Sequence, residues 1–494
     1  MKILLIYPDM VNESADWTGY YYEGVAVLSS AAKAAGHKVR LLHVYEPLDD
    51  EAILAFVRDN SEEQTLVAFS ATTNQFPYVE KWAKLIKDQI GVPTLVGGMH
   101  PTLSPDDAIS KEGVDMICKG DGEVPLVQLA NAMEKGESPE GIDGIWYKDA
   151  EGKIIQQMMA PLADINAIPP PDFEIFENYS NLMVIKENIG IHMGSRGCPY
   201  DCAYCCNRAL IDMSKGRGKY MRYRDVTSFV DELVAYRKTY PVTWAFFFED
   251  DIFGVNKRWL KEFVPQYKER VGLPYGCNMR PNLADQWMVD MLAESGCIRV
   301  HMAIESGNEE IRNKILNRKL DDDKLIESFR IFQRAGIQVM SYNIVGSPHE
   351  TPLAVLDTIK INAEIDPDHI QNSIFFPYEG TPLYDLVRDQ KLADLDREVT
   401  DYFADTVLVQ DSISRDQVLM FQKNFKPLVK HYKRMRSWPT PIGNFATSAS
   451  DRFLTWGGAP KVMRAMARMA SVFERFRTDK TDDAAPVGDI DIAC

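Results

Sequence analysis

A chain of 494 residues, 45% apolar and 26% charged, has a globular composition and is longer than one hydrophobic core usually holds, so two or three domains are expected. Its formal net charge of -17 argues against nucleic acid as a partner, and no apolar run reaches the roughly 18 residues that span a bilayer. Eight cysteines in this length, with no secretory pattern in Met1-Lys2-Ile3-Leu4-Leu5-Ile6-Tyr7-Pro8-Asp9, point to a reducing, cytoplasmic compartment and not to a disulfide framework.

Residues 1–140 read as a doubly wound α/β domain. Strand-like runs at Lys2–Tyr7, Lys38–Val44, Leu66–Ser70, Pro93–Val96 and Val114–Cys118 alternate with helical periodicity over Ala26–Ala35 and Tyr78–Gln89, the pattern of a parallel sheet covered on both faces. Such sheets bind ligands beyond the carboxyl ends of their strands. Small and polar residues gather there: Ser70 and Thr72 after the third strand, Gly97, Gly98 and His100 after the fourth, and Glu123 after the fifth. Glycines in such loops let the backbone approach a large flat ligand. Tyr20-Tyr21-Tyr22-Glu23, after the first strand, reads equally as a ligand-facing loop or as interface packing.

Residues 141–187 read as a linker, with a short hairpin in Gly141–Lys153 and a stiff spacer at Pro169-Pro170-Pro171. From 188 to 385 the βα alternation resumes. Strands are expected at Ile189–Met193, Trp244–Phe248, Tyr275–Met279, Ile298–Ile304, Gln338–Ile344 and His369–Phe375, a partial (βα)6 barrel of the TIM type with its chemistry at the carboxyl ends. The loops at those ends hold Cys198–Cys206, Glu249-Asp250-Asp251, Arg280-Pro281-Asn282, Glu305-Ser306-Gly307, the Gly346–Thr351 loop and Pro377–Thr381.

The first of these loops is the most informative. Cys198, Cys202 and Cys205 follow C-x3-C-x2-C spacing. Three thiolates suit an iron–sulfur cluster and leave one iron without a protein ligand, a place for a small molecule to bind. A structural zinc knot that also used Cys206 is disfavoured, because adjacent Cys205 and Cys206 strain a tetrahedral site. Cys118, Cys277 and Cys297, in or beside strands, read as core.

This spacing, with Tyr204 before the third cysteine, resembles the radical S-adenosylmethionine (SAM) enzymes, and the domain before it resembles the cobalamin-binding domain that precedes the barrel in one large subfamily. The resemblance covers most of residues 1–385. It implies a [4Fe-4S] cluster on Cys198, Cys202 and Cys205, which are both metal ligands and catalytic, and SAM chelated to the open iron with Tyr204 near its adenine. Glu249, Asp250 and Asp251 stand where the family contacts the methionyl end of SAM, Glu305 stands on the ribose side, and Gly346 opens another cofactor loop. Ser70, Thr72, Gly97, Gly98, His100 and Glu123 become cobalamin contacts. One departure bears on the cobalt: no histidine here has Asp two positions before it, so the Asp-x-His-x-x-Gly cobalt ligand is absent.

The resemblance implies a cobalamin-dependent methyltransferase acting on an unactivated carbon, with a non-methylating oxidative cyclase or ring-contracting enzyme as the alternative. It implies a small-molecule or lipid substrate and an electron donor such as flavodoxin or ferredoxin. Residues 386–477 read as a helical extension, with an acidic helical pattern in Leu392–Tyr402 and then a basic stretch through Lys430–Arg436 and Met463–Met469. That stretch suits a packed solvated helix or peripheral contact with an anionic membrane. The tail 478–494, polar and rich in small residues, reads as disordered.

Overall fold

The structure, a computed structural model, describes residues 1–10, 19–397, 399 and 401–466; the tail 478–494 lies outside them. Contacts divide the chain into two compact units. The first is Met1–Asn278 with Glu294–Cys297 and Tyr378–Asp385, and the second is Met279–Ala293, Ile298–Pro377 and the chain from Leu386 onward.

The first unit opens with a seven-stranded sheet. Its strands are β1 (Lys2–Pro8), β2 (Lys38–Val44), β3 (Thr65–Ser70), β4 (Thr94–Gly97), β5 (Met116–Cys118), β6 (Ile145–Lys148) and β7 (Ile154–Ile155), in spatial order 2-1-3-4-5-6-7. The five parallel strands have the flavodoxin-like order, whose ligand crevice lies where β1 and β3 diverge. Each residue of β3 is buried, as expected for a parallel strand covered on both faces. The core beneath includes Leu4, Ile6, Val67, Phe69, Trp82 and Ile117.

Every strand and helix expected in residues 1–125 is present within a few residues of its expected bounds. The hairpin is different in kind: β6 and β7 run antiparallel and β6 pairs with β5, so it belongs to the sheet and not to the linker. The chain beyond the hairpin is pinned to the same domain. Asp172, after the prolines, accepts from Ser29 Oγ at 2.5 Å and pairs with Lys33 at 2.6 Å, while Tyr179 Oη donates to Leu41 O at 2.7 Å.

The strands of a second, six-stranded parallel sheet follow chain order. In the first unit β8 (Ile189–His192) pairs with β11 (Ala245–Phe248), and β11 with β12 (Tyr275–Met279). A two-stranded ribbon, β9 (Ser195–Arg196) with β10 (Arg222–Tyr223), flanks the cysteine loop. Phe229, Phe248, Phe253, Trp259, Phe263 and Tyr267 fill the space outside β11 with tilted and stacked ring contacts, and the helix Lys257–Arg270 starts on Asn256, whose side chain accepts two backbone N–H groups.

In the second unit β13 (Cys297–Glu305), β14 (Gln338–Val345) and β15 (His369–Ile374) form parallel pairs, with a bulge between Ala303 and Glu305. The helices Pro352–Ile365 and Arg415–Arg436 pack a core of Val345, Leu356, Ile359, Phe421 and Phe425. Ser414 and Gln417 make a capping box at the start of Arg415–Arg436, a motif whose Ser→Ala loss costs about 1 kcal/mol. The acidic helix expected over Leu392–Tyr402 is absent among the described residues. Its described residues form turns and an Ala393–Leu408 bridge. At its end and just beyond it, Asp401 accepts from the backbone N of Phe403 and Asp405 from that of Thr406, each at 2.7 Å, local bonds that compete with a helix.

Candidate active site

The cysteine loop is braced from three sides. Gly197 enters it at φ 94°, and a Cβ there would stand 2.8 Å from Tyr220 O, so only glycine fits. Its N–H donates to Asp251 Oδ2 at 2.9 Å. Asn207 then links the loop to the same carboxylate: its Nδ2 lies 3.2 Å from Asp251 Oδ1 and 3.4 Å from Cys205 Sγ, while its Oδ1 accepts from Tyr220 Oη. Cys198, Cys202, Cys205 and Cys206 are outside any disulfide among the described residues. Hydrogen bonding from Cys206, with help from Asn207, lowers Cys205 to about 7, whereas burial pushes Cys198 up to about 11. Among the described residues no three such side chains surround a single ion; a cubane spreads its cysteines farther apart than one metal ion does.

The acidic run that follows β11 divides its contacts. Asp250 is buried and turned toward the loop, taking Gly194 N–H at 3.1 Å and Ser195 Oγ, and burial raises it to about 6. Asp251 braces Gly197 and Asn207. Neither caps the next helix, a task Asn256 performs. Glu249, half-buried, acts electrostatically on Tyr7, Tyr21 and Tyr22.

The carboxyl ends of β1 and β3 meet as the strand order requires. Tyr7 and Tyr22 stack with centroids 5.0 Å apart and planes 7° apart, and Tyr22 hydrogen-bonds to Ser70. Tyr21 instead packs on Phe173 and Phe176. Gly98, at φ 97°, approaches Ala71 so closely that a Cβ would lie 2.7 Å from its N and O. Gly97 O accepts from Ala71 N at 3.0 Å. Thr72 is exposed, and its N–H is held by Gln75 Oε1 at 2.9 Å. His100 is buried, stacked on Phe76 at 3.9 Å, with ring nitrogens 3.0 Å from Asp107 and 3.4 Å from Thr73. Both nitrogens are thus engaged inside the domain.

Glu123 joins the two halves of this unit. Its Oε1 pairs with Arg196 Nη1 at 2.7 Å, two residues before Cys198, and its Oε2 is buried without a hydrogen-bond partner among the described residues. Asp121 pairs with Arg222 on the other strand of the ribbon; burial opposes its charge but Arg222 prevails and holds it below the usual carboxylate range. Two ion pairs from the Gly120–Glu123 loop therefore hold the ribbon that carries the cysteines. Glu23, also buried, lines a cavity of about 10 Å³ with Ser195, Arg196 and Arg224, room for a single water. Arg196, Arg222 and Asn207 were not foreseen. Their only sequence signal is proximity to the cysteines.

In the second unit Glu305 ends β13 at φ 62°, buried, with Arg318 Nη1 at 3.8 Å. A non-glycine residue held there signals local strain. The turn after it is fixed by Arg312, fully buried, which donates to Ser306 O at 2.9 Å and Leu320 O at 2.8 Å. Gly346 begins its loop at φ 81° and donates to Glu350 Oε2 at 2.6 Å. Burial raises Glu350 to about 8.

Residues 193–361 match the radical SAM superfamily and residues 21–130 the B12 binding domain. The chain thus carries a radical SAM domain preceded by a B12-binding domain. These two domains call for an iron–sulfur cluster, SAM and cobalamin, and the residues fit them: three thiols outside any disulfide in one braced loop, and a loop after β4 that Gly98 packs closely against Ala71 at the carboxyl ends of β3 and β4. An uncharacterised methyltransferase of Pyrococcus horikoshii is 28% identical over 78% of this chain and 83% of its own length. The anaerobic magnesium-protoporphyrin IX monomethyl ester cyclase of Rubrivivax gelatinosus is 23% identical over 85% of this chain and 75% of its own. Among solved structures, the radical SAM methyltransferase TsrM of Kitasatospora setae, with cobalamin and a [4Fe-4S] cluster bound, matches with TM-score 0.62 and 18% identity over 80% of this chain and 78% of that one. That similarity establishes a shared fold.

Proposed function

We propose that this radical SAM enzyme is a cobalamin-dependent methyltransferase acting on an unactivated carbon of a small-molecule or lipid substrate. The observation that carries the reading is the double ion pair, Glu123 with Arg196 and Asp121 with Arg222, which couples the loops of the B12-binding domain to the ribbon bearing the cysteines. A cluster loop tied in this way suits chemistry that uses both cofactors together. When bound, these cofactors supply one-electron cleavage of SAM to an adenosyl radical and a transferable methyl group.

The protein's own residues hold and orient. Cys198, Cys202 and Cys205 are the proposed cluster ligands, with Asn207 Nδ2 directed at Cys205 Sγ to stabilise thiolate charge. Tyr204, Glu249 and Glu305 are the proposed contacts for SAM. Asp250 and Asp251 serve it by fixing Gly194, Ser195 and Gly197, and Gly346 by its left-handed turn. Ser70, Thr72, Gly97 and Gly98 line the proposed cobalamin crevice; Glu123 and His100 support it from within the domain. A flavodoxin or ferredoxin is the proposed electron donor, and the basic C-terminal region a proposed peripheral membrane contact.

The similarity to the magnesium-protoporphyrin cyclase favours a second reading, an oxidative cyclisation without methyl transfer. Products of SAM distinguish the two. The anaerobically reconstituted protein, given a one-electron reductant and SAM, is expected to form both S-adenosylhomocysteine and 5′-deoxyadenosine. 5′-Deoxyadenosine alone supports the cyclase reading, and neither product defeats both.

A further inference from the structure

The helix Thr440–Thr455 is apolar on two faces. One face is packed: Gly443 and Leu454 are buried, and Leu454 shares a core with Tyr432 and Met435. The other carries Ile442, Phe445, Ala449 and Phe453, with Trp456 just past the end. Spacings of three and four place these residues in one stripe along a helix. That stripe faces solvent. Ile442 is 58% exposed, Phe445 76%, Phe453 36% and Trp456 57%, and Trp438 before the helix is 42% exposed. An aligned row of this kind is unlike the scattered single apolar residues of an ordinary surface, and marks a place of interaction.

Charge identifies the partner. Residues 426–466 hold eight Lys and Arg and a single acid, Asp451, in a chain of net charge -17. Asp451 is turned toward the protein, accepting from Lys360 Nζ at 2.7 Å and Tyr432 Oη at 2.6 Å. Lys433, Arg436 and Arg464 pair with acids of the same unit, whereas Lys430, Arg434 and Arg452 are exposed and make no ion pair among the described residues. A second copy docking through this face by a two-fold axis would bring like charges together. An anionic lipid surface meets both halves of the pattern, with aromatic rings in the headgroup region and cations on lipid phosphates. Among the described residues no helix is long and apolar enough to cross a membrane.

We propose that the Ile442–Phe445–Phe453–Trp456 stripe, together with the exposed cations Lys430, Arg434 and Arg452, docks the protein onto the surface of an anionic bilayer. This locates the membrane contact on a specific helix face, and it stands or falls independently of the reaction catalysed. The test is flotation of the full-length reconstituted protein with vesicles of phosphatidylcholine alone or of equal parts phosphatidylcholine and phosphatidylglycerol. Binding is expected to the anionic vesicles and to be lost at high salt. The double substitution Phe445→Ser with Trp456→Ser is expected to lower partitioning about tenfold or more, and Lys430→Glu with Arg434→Glu by a similar factor. Retained iron and cobalamin show that each variant is folded. Absence of binding to anionic vesicles by the unsubstituted protein, or binding unchanged in the Phe445→Ser, Trp456→Ser variant, overturns the proposal. So does a dimer in the unsubstituted protein that this variant dissociates, since the stripe would then be covered by a second copy.

Discussion

Replacing Arg196 by Met leaves Glu123 buried with neither carboxylate oxygen partnered, because among the described residues Oε2 has no hydrogen-bond partner even with Arg196 in place. Asp121 and Glu23 lose the same nearby positive charge. Breaking a buried pair from one side costs about 3–5 kcal/mol, and the side chains concerned are only 22% and 6% exposed, so solvent screens little of it. At 1.4 kcal/mol per factor of ten, amides protected by this contact are expected to exchange about a hundredfold faster or more. Hydrogen exchange read on peptides spanning residues 194–206 and 119–134 is the assay, since one global unfolding energy is poorly defined for a chain with several domains. Replacing both partners, Glu123→Met with Arg196→Met, removes the stranded charge and is expected to recover most of the protection. Equal exchange in the single and double variants, or less than about a threefold change in the single one, would refute the reasoning that this pair holds the cysteine ribbon to the B12-binding domain.

Burial raises Glu350 to about 8, so the folded chain keeps a proton that the unfolded chain releases near pH 4.5; the carboxyl's stabilising contribution is complete below that pH and is lost as pH rises through about 8, by about 3–5 kcal/mol. Thermal midpoints measured from about pH 5 to about pH 8 should fall more steeply for the unsubstituted protein than for Glu350→Gln, and parallel curves would contradict the assignment. Gly98→Ala places a Cβ 2.7 Å from the Ala71 backbone at φ 97°, and should abolish cobalamin retention after desalting while leaving iron content intact. Cys205→Ser should lose bound iron after reconstitution whereas Cys206→Ser keeps it; the reverse result would exchange the roles of the two neighbours.

Much of this was readable before the structure because its signals are local. Strand alternation and glycine stops located the six strands of the second sheet to within one or two residues, and the C-x3-C-x2-C spacing marked the cluster loop without any knowledge of its surroundings. What escaped depends on distant residues. Arg196 and Arg222 look like ordinary surface cations until Asp121 and Glu123, about a hundred and about seventy positions earlier, are brought beside them. Glu249, Asp250 and Asp251 read as one acidic patch, but Asp250 and Asp251 each accept a backbone N–H from the segment that carries the cysteines. His100 stood on a ligand loop in the sequence; its stacking on Phe76 and its bond to Asp107 involve side chains that no local pattern singles out. Leu392–Tyr402 has helical spacing, but Ala393 bridges to Leu408, a partner fifteen positions on that no local pattern announces.

The central claim is that one chain carries a working cobalamin site and a radical SAM cluster together. Anaerobic reconstitution with iron, sulfide and hydroxocobalamin, followed by desalting and measurement of metal and corrinoid per chain, tests it most directly. The account predicts about four irons and about one cobalamin retained per chain. Iron at that level with no cobalamin retained would contradict it, leaving the B12-binding domain without its ligand and methyl transfer without its carrier.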